Sequence, residues 1–184
     1  MKLLIAYATK TGTTKACVDM MAEHFAYHDV TLFDLANGAP QIADFDAIII
    51  GGPIRMNKMD ARVKKFVEDN RTVLRDKLYA LFLCCGFNEN AEFYFSKNFT
   101  EDILEGSVFN TGVGGEMKLE KQKGMDKFIT RMVLRHIKSH NQNFERDYDI
   151  QMPAILPDSI RLLADTVKRN YVAWLDNGRL EQRK

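Results

Sequence analysis

Short, continuously apolar runs separated by polar loops recur along the first two thirds of this chain. They occupy residues 3–8, 30–35, 47–50, 78–85 and 108–113. Runs of this length that are apolar at most positions, instead of at every second one, are typical of strands covered on both faces of a parallel sheet. The sequence therefore predicts five strands in one mainly parallel sheet.

Segments with helical spacing lie between and after these runs. The positions that carry this spacing are Cys17, Met20, Met21, His24 and Phe25 in the first segment, and Val63, Phe66 and Val67 in the second. A third stripe, Ile160, Leu163, Val167, Tyr171 and Trp174, predicts a last helix. We expect it to begin at Pro157 and Asp158 and to stop at Asn177 and Gly178. Alternating strands and helices imply an open α/β sandwich that binds ligands at the carboxyl ends of its strands.

Length and charge narrow the classes of protein that fit this pattern. The 184 residues suit a single domain spanning 1–184, with a long polar insertion at 116–149 before the last helix. The 26 basic and 25 acidic residues leave a net charge of +1, which is too balanced for bulk binding of nucleic acid. We therefore predict no nucleic-acid partner.

The cysteines and the hydropathy pattern bear on location. Cys17, Cys84 and Cys85 form neither a metal-ligand spacing nor a disulfide framework, as expected of a cytoplasmic protein. Cys84 and Cys85 could form a redox pair, but small buried side chains at a strand end are the favoured interpretation. No apolar stretch approaches the roughly 18 to 20 residues needed to span a bilayer.

The loop after the first strand carries the strongest chemical signal. Its residues are Thr9, Lys10, Thr11, Gly12, Thr13 and Thr14, and a helical segment follows at once. Hydroxyl and backbone N–H donors at a helix N-terminus suit a terminal phosphate. The alternative is a threonine-rich helix cap that binds nothing. The P-loop pattern GxxxxGK[ST] is absent, and no GxGxxG follows the first strand.

The spacing of Thr9, Thr11, Gly12 and Thr14 resembles the phosphate loop of the flavodoxin family, and the strand spacing of most of the chain is also similar. The resemblance implies a three-layer α/β/α flavodoxin-like fold, with a five-stranded parallel sheet in the order 2-1-3-4-5. It also implies FMN as cofactor, with its phosphate in this loop.

Two further loops then follow by position as flavin loops, at 51–57 and 85–90. The residues expected to hold the ring are Gly52, Pro53, Ile54, Arg55, Cys85, Gly86 and Phe87. Glycine lets a backbone approach a flat ring closely, and a nearby carbonyl tunes flavin chemistry. Phe87 is expected to pack on the isoalloxazine; the alternative is that it only closes the end of the sheet.

Within that family, the chain looks closest to the menaquinone-dependent protoporphyrinogen dehydrogenases. Pro53-Ile54-Arg55, the insertion at 116–149 and the segment 125–129 carry this resemblance. It implies an FMN-dependent oxidoreductase that passes electrons from a large planar, porphyrinogen-like substrate to a quinone, with Arg55 on the substrate side. No general acid or base is assigned, because the flavin would carry the chemistry. The alternatives are an electron carrier and a module that has lost its flavin.

The insertion contains a basic amphipathic segment at 118–140. It holds seven Lys and Arg residues against two acidic ones, a local charge of +5. The predicted apolar face is Met125, Phe128, Ile129, Met132, Val133 and Ile137, and the polar face includes Lys127, Arg131, Arg135 and Lys138. Such a helix suits the inner face of the cell membrane or an anionic substrate; the alternative is packing on the domain. His136 and His140 lack a third ligand, so no metal is predicted.

Overall fold

A computed structural model describes residues 1–116, 124–143 and 153–181 of the chain. The strands are β1 (Lys2–Tyr7), β2 (Asp29–Asp34), β3 (Ala47–Arg55), β4 (Lys58–Met59), β5 (Leu78–Cys84) and β6 (Asn110–Gly112). The helices are α1 (Thr13–Glu23), α2 (Ala61–Asp69), α3 (Arg71–Leu74), α4 (Ala91–Asn98), α5 (Glu101–Gly106), α6 (Gly124–Asn143) and α7 (Pro157–Glu181). Short 3₁₀ turns follow β2 and precede α4.

The sheet confirms the predicted topology. Its parallel strands lie in the order β2-β1-β3-β5-β6, and β4 pairs with β3 alone in antiparallel fashion. Leaving out this short hairpin strand, the order is the predicted 2-1-3-4-5. The carboxyl ends of β1, β3 and β5 are adjacent, because Tyr7 pairs with Gly51 and Pro53 with Cys84.

The third strand is longer than predicted, so the prediction of a loop at 51–57 is wrong. Residues 51–55 belong to β3, where Gly52 and Pro53 pair with Leu83 and Cys84 of β5. Met56 and Asn57 alone form the turn, with φ of 49° and 62°. Positive φ at both central residues is the geometry of a tight two-residue hairpin turn. The Gly-Gly-Pro sequence ended the apolar run without ending the strand.

Two other boundaries also differ from the prediction. The strand β6 covers only Asn110–Gly112 within the predicted 108–113, although hydrogen bonds to the neighbouring backbone continue on both sides of it. The helix α7 does not stop at 177–178 but continues to Glu181. A glycine inside an exposed helix costs only about 1 kcal/mol relative to alanine, which is too little to end the helix by itself.

Helices cover the sheet on both faces and create two cores. On one face, α1 and α7 bury Cys17, Met21, Ile160 and Leu163 against the sheet. On the other, side chains of α2, α4 and α5 form the second core. The predicted stripe of α7 is buried as far as Val167, whereas Trp174 is 49% exposed and stacks on Tyr171.

The helix α6 confirms that the insertion contains a helix, but its packed face differs from the predicted one. Phe128 and Met132 are 62% and 57% exposed, whereas Thr130 is buried and Val133 is half-buried. The predicted face ignored Thr130 because it is polar. The remaining predicted members of this face, Met125, Ile129 and Ile137, have side chains outside the described part of the structure, as do Lys118, Lys121, Lys123, Lys138 and His140. Among the described helices, none is both long and apolar enough to cross a membrane.

Candidate functional site

A cavity of about 320 Å³ opens at the carboxyl edge of the sheet, where the chain order reverses between β1 and β3. This is the position at which open α/β sheets bind ligands. Its wall consists of Lys10, Thr11, Thr13 and Thr14 from the first loop and α1; 53–57 from the β3–β4 hairpin; Cys84, Cys85, Gly86 and Phe87 after β5; and Tyr94, Gly115, Glu116, Thr130 and Val133.

The first loop turns sharply into α1. Gly12 has a φ of 87°, a left-handed conformation that suits glycine, and its N–H donates to Thr9 Oγ1 at 3.1 Å. Gly12 is also the N-cap residue of α1 and supplies no capping side chain. The first N–H groups of a helix have no acceptor within the helix. The start of α1 is therefore an uncapped set of donors beside the cavity.

Thr13 shows that this wall suits an anion. Its side chain lines the cavity, yet its buried Oγ1 has no hydrogen-bond partner among the described residues. A buried hydroxyl left unpaired costs about 1 to 3 kcal/mol. A phosphate oxygen at the N-terminus of α1 would accept from this hydroxyl and lie at the positive end of the helix dipole.

Arg62 holds the loop from behind. Its guanidinium donates to the main-chain oxygen of Thr9 at 3.2 Å and to both carboxylate oxygens of Asp60 at 2.9 Å. The Arg62 guanidinium also holds the pKa of Asp60 below its usual value. Asp60 in turn accepts from the Arg62 N–H at 3.1 Å and caps α2. Sequence reasoning missed this residue, although an Asp-x-Arg at the start of a helix was visible.

Asn98 anchors the β3–β4 hairpin, which contributes one side of the cavity. Its Nδ2 donates to the main-chain oxygens of Asn57 at 3.0 Å and Tyr94 at 2.8 Å. Its Oδ1 accepts from the Met59 N–H at 2.8 Å. The side chain is 8% exposed, so one buried amide ties the turn to α4.

The two glycines of β3 serve packing. A Cβ on Gly51 would lie 2.3 Å from the Phe82 main-chain oxygen, and one on Gly52 would lie 2.9 Å from Val63 Cγ2. Neither glycine lines the cavity. Glycine at these two positions therefore meets a packing requirement against β5 and α2.

Two of the three cysteines, Cys84 and Cys85, line the cavity, and Cys17 lies in the core under α1 and α7. Cys84 belongs to the core under α1 and α7, and Cys85 to the opposite one, so their side chains do not form a pair. Cys84 lies in the same buried cluster as Cys17. The neighbouring Cys17 lowers the pKa of Cys84, whereas Cys84 and burial raise the pKa of Cys17. Burial raises the pKa of Cys85 to about 12.

The structure gathers most of the predicted cofactor residues. Those that line the cavity are Lys10, Thr11, Thr13, Thr14, Pro53, Ile54, Arg55, Cys85, Gly86 and Phe87. Thr9, Gly12 and Gly52 lie behind them as supports. Residues outside the predicted set also contribute, notably Cys84, Tyr94, Glu116, Thr130 and Val133. Thr130 interrupts an apolar helical face, which was the one available signal for its position.

No group of three or more His, Cys, Asp or Glu residues within the described ranges is placed to hold a metal ion. The exposed His136 lies on α6, away from the cavity wall. The cavity is therefore characterised by hydroxyl and backbone donors at one end and by apolar and aromatic side chains at the other.

Several solved structures share this fold. The rubredoxin oxygen:oxidoreductase of the anaerobe Desulfovibrio gigas aligns with 94% of this chain at 14% identity and a TM-score of 0.55, but the chain spans only 36% of that protein. A flavodoxin from the domain Archaea aligns over 91% of this chain and 99% of its own length, at 16% identity and a TM-score of 0.50. A short-chain flavodoxin associated with a non-canonical PDU bacterial microcompartment aligns over 93% of this chain and 99% of its own length, at 12% identity and a TM-score of 0.51.

No curated protein matches the sequence. The model of the Flavodoxin domain family matches residues 4–143, a span that runs from β1 to the end of α6 and includes every wall of the cavity. The chain therefore belongs to the Flavodoxin domain family.

Proposed function

We propose that this protein binds FMN in the cavity at the carboxyl edge of the sheet and acts as a redox protein. The observation that carries the proposal is the buried, unpartnered Oγ1 of Thr13 at the uncapped start of α1. Membership of the Flavodoxin domain family supports it. Bound FMN supplies one- and two-electron chemistry, and the chain positions it.

The two ends of the cavity bind different parts of FMN, the phosphate at one end and the ring at the other. Thr11, Thr13 and Thr14 surround the phosphate with hydroxyl donors, and the exposed Lys10 adds positive charge. At the other end, Ile54 and Phe87 offer apolar and aromatic surface to the ring. Tyr94 borders the same end, where burial raises the pKa of its phenol, so that it remains neutral at physiological pH.

Titrations with FMN and with riboflavin test the assignment of the phosphate to the threonine end of the cavity. Thr13→Val is expected to weaken FMN binding about tenfold or more, because it removes a hydrogen bond to a charged group. Riboflavin affinity should not change, since riboflavin has no phosphate. Thr31→Val, on β2 and outside the cavity wall, is the matched control. Equal loss of FMN and riboflavin affinity would contradict the assignment of the phosphate end.

The activity that fits best is that of an oxidoreductase that passes electrons from a large planar, porphyrinogen-like substrate to a quinone. Support comes from the resemblance carried by residues 53–55 and the insertion, and from the position of Arg55 on the cavity wall. Thr130 and Val133 of α6 add a wall from the insertion itself. The net charge of +1 also differs from the strongly acidic charge that would steer an electron carrier to basic partners.

An electron carrier is the second candidate, favoured by the flavodoxin structures that share the fold. Anaerobic kinetics separate the two. Repeated turnover of protoporphyrinogen with a menaquinone analogue, reduced in Arg55→Gln and retained in Arg71→Gln, supports the oxidoreductase. Fast reduction by a flavodoxin reductase without porphyrinogen turnover supports the carrier.

The exposed side of α6 is the proposed contact with the cytoplasmic face of an anionic membrane. Lys127, Arg131 and Arg135 recur every fourth residue, and the exposed Phe128 and Met132 lie on the neighbouring stripe. Cations attract anionic headgroups, and apolar side chains insert among them. This orientation brings the cavity, which α6 borders, close to the membrane that contains quinones.

Vesicle sedimentation tests the membrane contact. Binding should rise with phosphatidylglycerol content, weaken with salt and fall when Lys127, Arg131 and Arg135 are changed to Gln. The control changes Lys64, Lys65 and Lys97, three exposed lysines on α2 and α4, to Gln. Equal binding of both triple variants, or binding that does not depend on lipid charge, would contradict the contact.

A further inference from the structure

We propose that Asn98 is a positioning residue: its buried amide fixes the turn at Met56 and Asn57 and thereby sets the affinity of the cavity for a flavin ring. Asn98 itself lies outside the cavity wall, whereas both turn residues line it. The identity of the ligand rests on the proposed function. The control of the turn by Asn98 does not.

The turn has little support within the hairpin. Met56 and Asn57 have φ of 49° and 62°, and Met56 carries no polar side chain that could stabilise a left-handed conformation by a local hydrogen bond. The strand that follows, β4, has only two residues and pairs with β3 alone among the described strands. Two-stranded hairpins are only marginally stable in water. The conformation of the turn therefore depends on contacts from outside the hairpin.

The amide of Asn98 supplies these contacts with both its donor and its acceptor end. Nδ2 donates to the main-chain oxygen of Asn57 at 3.0 Å and to that of Tyr94 at 2.8 Å. Oδ1 accepts from the Met59 N–H at 2.8 Å. These partners define which end of the amide is oxygen, because an N–H needs an acceptor and the two carbonyls need donors. Any other orientation of this side chain, which is 8% exposed, would leave its partners unpaired.

Asn98 also links two walls of the cavity. Tyr94 lines the cavity from α4, and Met56 and Asn57 line it from the hairpin. Because the Asn98 amide bonds to the backbone of both Tyr94 and Asn57, it fixes the position of one wall relative to the other. Walls that are already in place favour binding, since less order must be created when the ligand enters.

Titrations of the full chain with FMN and with riboflavin test the proposal. Asn98→Ala should weaken the binding of both by the same factor, roughly tenfold, as expected when about a tenth of the molecules keep the competent turn. Both ligands carry the same ring, whereas Thr13→Val is expected to weaken FMN alone. The milder Asn98→Asp keeps an acceptor for the Met59 N–H and should lose less of both affinities. A loss confined to FMN, or no loss for either ligand, would overturn the proposal.

Tyr79→Phe separates positioning from a simple loss of stability. Tyr79 is 2% exposed, and its hydroxyl donates to the main-chain oxygen of Ile103 at 2.6 Å, away from the cavity wall. Like Asn98→Ala, this variant removes a buried hydrogen bond. It should lower the thermal midpoint and leave both flavin affinities unchanged. If Tyr79→Phe weakened riboflavin binding as much as Asn98→Ala does, Asn98 would act through general stability and the proposal would be wrong.

Glycine at position 57 tests whether Asn98 acts through the turn. Glycine adopts positive φ without strain and is favoured in tight hairpin turns of this kind. Asn98→Ala should therefore cost less riboflavin affinity in the Asn57→Gly background than in the natural sequence. Equal losses in the two backgrounds would mean that the turn does not transmit the effect of Asn98.

NMR of the chain without flavin gives a readout that needs no ligand. A residue with positive φ shows a strong cross-peak between its own N–H and Hα protons, because these protons lie close together. The cross-peaks of Met56 and Asn57 should be strong in the natural sequence and in Tyr79→Phe, and should weaken in Asn98→Ala. Unchanged cross-peaks in Asn98→Ala would overturn the proposal. If the natural chain bound no flavin, the proposed function would fail, while the cross-peaks would still decide whether Asn98 fixes the turn.

Discussion

The guanidinium of Arg62 donates a 3.2 Å hydrogen bond to the main-chain oxygen of Thr9, joining the start of α2 to the loop that follows β1. Replacing Arg62 by Gln removes this bond and takes the guanidinium away from the carboxylate of Asp60, which keeps its hydrogen bond from the main-chain N–H of residue 62. We expect a loss of about 1 to 3 kcal/mol in the free energy of unfolding. FMN affinity should fall as well, because the loop loses its support.

Urea denaturation and FMN titration measure the two effects of Arg62→Gln. The control is Arg71→Gln, which removes an exposed ion pair with Asp102 far from the loop. It is expected to alter FMN affinity little. If Arg62→Gln left FMN affinity as high as Arg71→Gln does, the loop would not depend on Arg62.

Asp60→Asn should change how stability depends on pH. The pKa of Asp60 is lowered in the folded protein, chiefly by hydrogen bonds from Arg62. Its contribution is therefore present above the unfolded carboxyl pKa and is lost as the pH falls through the lowered folded value. At pH 7 we expect the variant to be less stable by about 1 to 3 kcal/mol, and this difference should disappear in acid.

Stability curves of the natural sequence, Asp60→Asn and Asp60→Ala from pH 7 to pH 2 measure this effect. Asparagine still caps α2, whereas alanine also loses the cap and should cost a further 0.5 to 2 kcal/mol or so at every pH. A difference between aspartate and asparagine that stays constant with pH would mean that the charge of Asp60 contributes nothing.

Asn98→Ala should loosen the β3–β4 hairpin. It leaves the Met59 N–H without its acceptor and the carbonyl of Asn57 without its donor, at a cost of about 1 to 3 kcal/mol per buried group. Hydrogen exchange at the Met59 amide, measured by NMR, should accelerate. Asn98→Asp keeps the acceptor and should protect this amide better than alanine does; the opposite order would contradict the assigned geometry.

Gly51→Ala should destabilise the sheet. The added methyl would lie 2.3 Å from the main-chain oxygen of Phe82, which the strand pairing holds in place. Overpacking of this kind costs about 1 to 3 kcal/mol. In Gly115→Ala the nearest atom is 3.1 Å away, so the loss should be smaller. Thermal denaturation of both variants gives the order, and a larger loss at 115 would contradict it.

Much of the fold could be predicted because strands buried on both faces consist of apolar residues at nearly every position. The runs ending at Ala8 and Cys85 are apolar at nearly every position, since both faces of the sheet are covered. The extension of β3 could not be predicted, because Gly51, Gly52 and Pro53 are poor strand formers that tertiary pairing overrides. The same applies to Gly178, which α7 simply includes.

Part of the candidate site could also be predicted from the sequence, and part could not. Thr13 and Phe87 could be placed because parallel strands bring their carboxyl ends to one edge. The positions of Thr130 and Arg62 depend on how a helix docks, which a pattern along one chain does not contain. Such contacts join residues far apart in sequence, as the 53 positions between Thr9 and Arg62 illustrate.

The shared core of α1, α7 and β1 has a consequence for synthesis on the ribosome. Ile160 and Leu163 lie in one buried cluster with Leu3 and Ile5, so the first strand is completed by a helix made about 150 residues later. At about 5 to 20 residues per second, that delay is roughly 8 to 30 s. Throughout it, this apolar face lacks the cover that α7 gives it. The nascent chain is therefore most prone to aggregation just before its last helix emerges.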